Sequence, residues 1–266
     1  MEPRNRKIDL MGIINLTPDS FYRGSRFLGD IPGMLRKVER MAEDGASIID
    51  IGAFSSRPGA PAVPPDEQIR RLEKPLLELR KEFEGLPLSI DTSSSEVVEK
   101  VFSLIGPFTV NDISAGEADP GMLRVAASLH LPYIAMHMRG TPSTMQGLTY
   151  YTDIVREVRE YFLEFDRKAI LEGLHEWILD PGFGFAKTRE QNFLLLDNLD
   201  AIRLSGHRTL VGVSRKSMFG KAPEEALEAT QRAHLTALEK GADILRVHDV
   251  AEAAATVDLY RSLSED

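Results

Sequence analysis

The chain has 266 residues, 42% hydrophobic and 27% charged, with a formal net charge of −9 and no cysteine. That length fits one large barrel or sandwich, or two small domains, and it can bury a sizeable core. A net negative chain without a Lys/Arg cluster argues against a general nucleic-acid binder, and the lack of cysteine excludes disulfides, thiolate zinc sites and a cysteine nucleophile.

The opening "MEPRNRKIDLMGIIN" reads as a polar tail entering a strand and not as a signal peptide, because Asp9 interrupts its apolar run and Asn15 ends it. No stretch has 18 consecutive apolar residues, so no membrane span is expected. In chain order, eight short runs rich in Ile, Val and Leu follow: "IDLMGIIN", "ASIIDIG", "PLSID", "FTVNDIS", "YIAMHM", "WILDPG", "TLVGVS" and "ADILRVH". Most are apolar throughout, the mark of parallel strands covered on both faces. Between them lie amphipathic stretches such as "GMLRKVERMAEDG", "DEQIRRLEKPLLELRKEF", "SEVVEKVFSLI", "TDIVREVREYFLEFDRKAILEG" and "EEALEATQRAHLTALEKG", with apolar residues at helical spacing and stops at Gly45, Gly173 and Gly241.

Eight such alternations without a linker or compositional break predict a single α/β domain over residues 1–266, a (β/α)8 TIM barrel. A Rossmann-like sheet is the alternative, but no G-x-G-x-x-G follows the first strand. Nearly every apolar run ends in a polar or ionisable residue: Asn15, Asp50, Asp91, Asn111 with Asp112, His137, Asp180, the triplet Ser214, Arg215 and Lys216, and Arg246 with His248. In a barrel all eight strand ends open onto the face that carries the active site. Each residue alone reads equally well as a helix cap or turn residue; eight at the same end do not.

Taken singly, Asn15 offers an amide to a metal or phosphate, and Arg57 in "SSRPGA" offers a guanidinium to an oxyanion. Asp91 and Asp180 are two carboxylates for an amino-substituted heterocycle or for acid–base work. Lys216 is a point charge suited to a carbonyl oxygen or ring nitrogen. Arg246 and His248, two apart on a strand, face the same side. Together with Arg57 and Lys216 they exceed the cationic capacity that the two carboxylates require, so an anionic ligand is expected. His130, His175, His207 and His234 read as structural, and no His pair suggests zinc.

"MGIINLTPDSF", "SSRPGA", "SIDT", "NDISAG", "MHMRGTPSTMQ", "ILDPGFGFAKT", "GVSRKS" and "RVHDV" occur in this order across essentially the whole chain, and in them the sequence resembles the dihydropteroate synthases of the folate pathway. The resemblance implies a (β/α)8 barrel that joins 6-hydroxymethyl-7,8-dihydropterin diphosphate to para-aminobenzoate, with release of diphosphate and help from Mg²⁺, in a cytoplasmic homodimer. It implies that Asp91, Asn111, Asp180 and Lys216 read the pterin with Met136 and Phe185 against its ring. Diphosphate then falls to Asn15, Arg57, Arg246 and His248, with Asn15 also at the metal. Para-aminobenzoate meets Phe21, Ser56, Arg57, Pro58 and Lys216, on loops that resemble the family's mobile ones. Asp91, Lys216, Arg57, Arg246 and His248 carry catalysis, in which diphosphate departs first and the arylamine attacks the pterin cation left behind. Three features depart from the family's usual pattern: "YRGS" after "PDSF", Phe54 and Ser56 in "AFSSRPGA", and Ala186 in place of a common glycine. They put the arylamine pocket in more doubt than the pterin pocket. A pterin-dependent methyltransferase, a binding protein that has lost activity and a helix-surface scaffold are the rival readings.

Overall fold

The computed structural model describes residues 6–17, 27–55, 57, 59 and 62–263. All eight expected strands are present: β1 (Asp9–Asn15), β2 (Ile48–Gly52), β3 (Leu88–Asp91), β4 (Thr109–Asp112), β5 (Tyr133–Met136), β6 (Trp177–Asp180), β7 (Arg208–Val211) and β8 (Ile244–Val247). They pair in parallel, in sequence order, and β8 closes onto β1 with Asp9 opposite Ile244. The helices α1 (Ile31–Glu43), α2 (Pro65–Glu82), α3 (Ser95–Ile105), α4 (Met122–Ser128), α5 (Ile154–Glu172), α6 (Arg189–Asp197), α7 (Leu199–Ile202), α8 (Leu227–Glu239) and α9 (Val250–Ser262) follow the strands in turn. Two of them, α6 and α7, fill the β6–β7 crossover. The long stretch expected to be one helix before β8 begins as a 3-10 turn at Pro223–Glu225 and becomes α8 only at Leu227.

Period-2 alternation explains both the core and the site. Along β2, Ile49 and Ile51 point out into the large cluster between barrel and helices, while Ile48 packs on the small cluster inside the barrel, formed by Met11, Ile134, Ile178, Leu210 and Ile244. The residues two further along from those inner positions are Ile13, Met136, Asp180, Gly212 and Arg246. The interior thus takes its first charges one step further along, Asp180 and Arg246 joined by Asp50 two residues beyond Ile48, toward the C-terminal ends of the strands. The expected glycine stops hold, with Gly45, Gly173 and Gly241 at φ of 103°, 80° and 99°, where L-residues are strained.

Candidate active site

A cavity of about 170 Å³, open to solvent, sits over this polar layer. Asn15, Arg57, Asp91, Phe185, Lys216, Arg246 and His248 all line it. Asn111, Met136 and Asp180 are buried and are not among its lining residues; they join it through lining side chains, Asn111 through Asp50 to Arg246 and Met136 through the apolar patch with Phe185 and Phe54. Phe21, Ser56 and Pro58, assigned by resemblance to the arylamine, and Asp19 and Ser20 beside them, fall outside the described residues.

The floor is a charge network. Arg246 Nε donates to Asp50 Oδ2 at 2.7 Å, and its Nη2 lies 2.6 Å from Asp50 Oδ2 and 3.4 Å from Asp91 Oδ2. Asn111 Nδ2 donates to both Asp50 oxygens at 3.2 Å. Its amide nitrogen, expected to meet acceptors of a ligand, is thus turned toward a fully buried carboxylate that needs donors. Asp91 Oδ1 is buried and, among the described residues, meets no hydrogen-bond partner. Burial, and then the neighbouring charge of Asp50, push the Asp91 carboxyl up to about 7, with Arg246 opposing. Burial also raises the Asp180 carboxyl, although Lys216 and the N–H of Gly182 pull it back. Asp180 Oδ1 accepts that N–H at 2.8 Å, so the turn reading and the site reading hold for the same side chain. Asp91, by contrast, caps nothing; the N–H of Ser95 at the start of α3 donates to Asp119 instead.

Three loops complete the walls. After β6, "DPGFGFAK" curls over the cavity. Gly182 is at φ 69°, where an added Cβ would lie 2.1 Å from the carbonyl oxygen of His137, so only glycine fits. The buried Lys187 gathers this loop, its Nζ lying 3.0 Å from the carbonyls of Gly182 and Phe185 and 2.9 Å from His137 Nδ1. Lys216 Nζ donates to the carbonyl of Phe183 and lies 4.7 Å from the centre of the Phe185 ring. Burial lowers its ammonium to about 8, with Asp180 opposing. Met136 and Phe185 belong to an apolar patch with Ile113, Met138, Met145, Ala186 and Phe54. Phe54 therefore extends the apolar wall. Ala186 is held at φ 48°, the strained left-handed region that the common glycine would occupy freely.

Two expectations are corrected here. His248 is not a cation: burial, and then Arg246, bring its imidazole down to about 3, so at neutral pH it is a neutral ring held by Ser214 Oγ at 3.0 Å from Nδ1. The surplus of cations is also smaller than the sequence suggests, because Asp50 adds a third carboxylate and already engages Arg246. Other strand-end polar groups turn out to be structural. Asp112 takes the N–H groups of Ser114 and Gly116 and the hydroxyl of Tyr133, and His137 serves Lys187. The sequence reading left Asp50 and Met145 without a role. Alternation along β2 signals Asp50, whereas Met145 reaches the wall through a 3-10 turn that carries no such pattern.

Residues 11–248 match the family described as pterin binding enzyme. The dihydropteroate synthase of Synechocystis sp. is 43% identical over 255 residues, covering 93% of this chain and 87% of that protein. The crystal structure of the Yersinia pestis dihydropteroate synthase with a sulfonamide drug complex is similar with a TM-score of 0.92, at 33% identity, over 98% of this chain and 95% of that one. The Burkholderia cenocepacia dihydropteroate synthase complexed with 7,8-dihydropteroate is similar with a TM-score of 0.85, at 36% identity, over 98% and 92% of the two chains.

Proposed function

The chain belongs to the pterin-binding enzymes and, within them, to the dihydropteroate synthases, and from that membership we propose how its cavity divides the substrates. It is a transferase of folate synthesis: the bond between the pterin methylene carbon and the diphosphate oxygen breaks, the para-aminobenzoate nitrogen takes that carbon, and the nitrogen's proton leaves with diphosphate as co-product. The single observation that carries our assignment is the floor, where buried carboxylates of β2, β3 and β6 and one amide of β4 gather toward the C-terminal side of the barrel. An amino-heterocycle presents adjacent N–H donors, and Asp180 together with the unpartnered Asp91 Oδ1 supplies acceptors for them. Asn111 and Lys216 face its remaining edge, and Met136 and Phe185 its ring.

At the rim, Arg57 and Arg246 hold the diphosphate through charge-assisted hydrogen bonds, with Asn15 and the neutral His248 as further contacts. Charge that develops on the departing oxygen meets fixed cations, while Asp91, ionised beside a forming pterin cation, favours the transition state over the ground state. Para-aminobenzoate enters past Phe54, Arg57 and Lys216, with Phe21, Ser56 and Pro58 in the same reading. Mg²⁺ belongs to the proposal as well. Among the described residues no three His, Cys, Asp or Glu side chains gather around a metal. Asn15, which lines the cavity, would hold the cation beside the diphosphate. When bound, it supplies charge neutralisation on the leaving group. A cytoplasmic homodimer completes the reading, on the family resemblance and the lack of cysteine.

Incubation with 6-hydroxymethyl-7,8-dihydropterin diphosphate, para-aminobenzoate and Mg²⁺ tests the whole. Equimolar diphosphate and dihydropteroate are expected; diphosphate release without dihydropteroate would break the arylamine assignment, and no release would break the pterin assignment.

A further inference from the structure

Arg215 and Asp249 are the charged members of "GVSRKS" and "RVHDV" that do not line the cavity, and they pair with each other through two hydrogen bonds. Arg215 Nε and Nη2 donate to the two oxygens of Asp249 at 2.7 and 2.9 Å, both side chains being nearly buried. The remaining arm, Nη1, donates to the carbonyl of Pro223 at 2.6 Å, and the backbone N–H of Arg215 donates to Thr230 Oγ1 at 3.0 Å. Arg215 is left-handed, at φ 56°, a conformation unfavourable for a residue with a Cβ. Such strain persists only where the surroundings over-determine it. Its effect is geometric: the chain turns so that Arg215 points outward while Ser214 and Lys216 on either side of it line the cavity. Asp249 directly follows His248, whose N–H and Nδ1 lie 3.2 and 3.0 Å from Ser214 Oγ.

We propose that the Arg215–Asp249 pair is a positioning device for the reaction: by tying the loop after β7 to the loop after β8, it sets Lys216 and His248 against one substrate together. The proposal rests on the synthase reading. A buried ion pair is a poor source of net stability compared with apolar packing, so its use here is spatial: one fork fixes two loops whose neighbouring residues divide the pterin and the diphosphate between them.

The test is kcat/KM for the pterin diphosphate as a function of pH in Arg215→Met, Asp249→Asn and the double variant. The groups that face Lys216 are Asp180, Arg246, Lys187, His248, the Phe183 carbonyl and the Phe185 ring. Wild-type kcat/KM should fall above about pH 8 as Lys216 loses its charge. Each single variant is expected to lose roughly 30- to 100-fold, the scale of a misplacement by about 1 Å. The double should be no worse than the weaker single, and the alkaline limb should move upward as Lys216 drifts toward water. Losses that multiply in the double, or a lowered Tm with an unmoved limb, would overturn the pair's role. Asp249→Asn keeps the side chain's shape and carries the same test if Arg215→Met does not fold. A wild-type protein that forms no dihydropteroate sinks the functional reading and this proposal with it, whereas full activity in the variants sinks this proposal alone.

Discussion

The floor and the rim of the cavity are built by different means. Floor residues Asp50, Asp91, Asn111 and Asp180 lie in the C-terminal halves of four different strands; both neighbouring strands pair with Asp50, Asp91 and Asn111, and β5 pairs with Asp180. Rim residues Phe54, Arg57 and Met145 sit on loops, set by local contacts such as Arg57 Nε on Ser55 Oγ at 3.2 Å. The floor can therefore hold charges at perturbed protonation states, because nothing moves to relieve them. The rim supplies side chains that can adjust around a leaving group and an incoming amine.

The largest effect should come from the side chain that joins the two regions. Arg246→Ala leaves the buried Asp50 and Asp91 without their cation, so we expect a stability loss of about 3 kcal/mol or more in urea melts. Turnover should fall by at least roughly 10³-fold. A clean loss of diphosphate affinity with unchanged stability would mean that floor and rim are independent. Next, Asp180→Asn should weaken pterin binding by about 10- to 100-fold in calorimetry, the scale of one charge-assisted hydrogen bond; an unchanged isotherm would remove Asp180 from the pterin site.

The pH dependence sharpens the same contrast. With Asp91 at about 7 and Lys216 at about 8, kcat/KM should rise toward pH 7 as Asp91 ionises and fall above about pH 8 as Lys216 deprotonates. A flat profile from pH 6 to 9 would contradict both assignments. Stability runs the other way for Asp91. Its carboxyl is raised by folding, so the stability it contributes is fully present below about pH 4 and is lost as pH rises through about 7. Asp91→Asn should thus be roughly 1–2 kcal/mol more stable than the native protein at pH 8 and no more stable at pH 4, while losing activity. Calorimetric melts at both values decide it, and equal Tm at pH 8 would contradict the strained floor. The smallest effect is expected at the rim: Phe54→Ala should raise KM for para-aminobenzoate a few-fold, about 1 kcal/mol of lost ring contact, and leave pterin affinity unchanged.

Much of this was legible in the sequence. The eight apolar runs became eight strands because strands buried on both faces need no alternation, and their polar last residues became the cavity layer because barrel closure gathers one end of every strand. The sequence could not show which of those residues would be diverted. Asp112 and His137 stand at strand ends much as Asp91 and Asp180 do, yet the first is taken up by its own loop together with Ser93 and Tyr133 and the second by Lys187, and of these Ser93, Tyr133 and Lys187 are partners that only the closed fold supplies. Protonation was equally hidden. His248 reads as a cation in "RVHDV" and is neutral because burial and Arg246 disfavour its charge. The apolar patch of Ile113, Met136, Met138, Met145 and Phe54 joins four segments far apart in the chain, so no periodicity announces it.

The central claim is that the floor reads the pterin and the rim reads the diphosphate. The most direct test is to measure binding of 6-hydroxymethyl-7,8-dihydropterin with and without its diphosphate to the native protein, to Asp180→Asn and to Arg57→Met. Asp180→Asn should weaken both ligands by a similar factor, whereas Arg57→Met should weaken only the diphosphate-bearing one, by about 10-fold or more. Equal weakening of both ligands by Arg57→Met, or of only the diphosphate ligand by Asp180→Asn, would contradict the division.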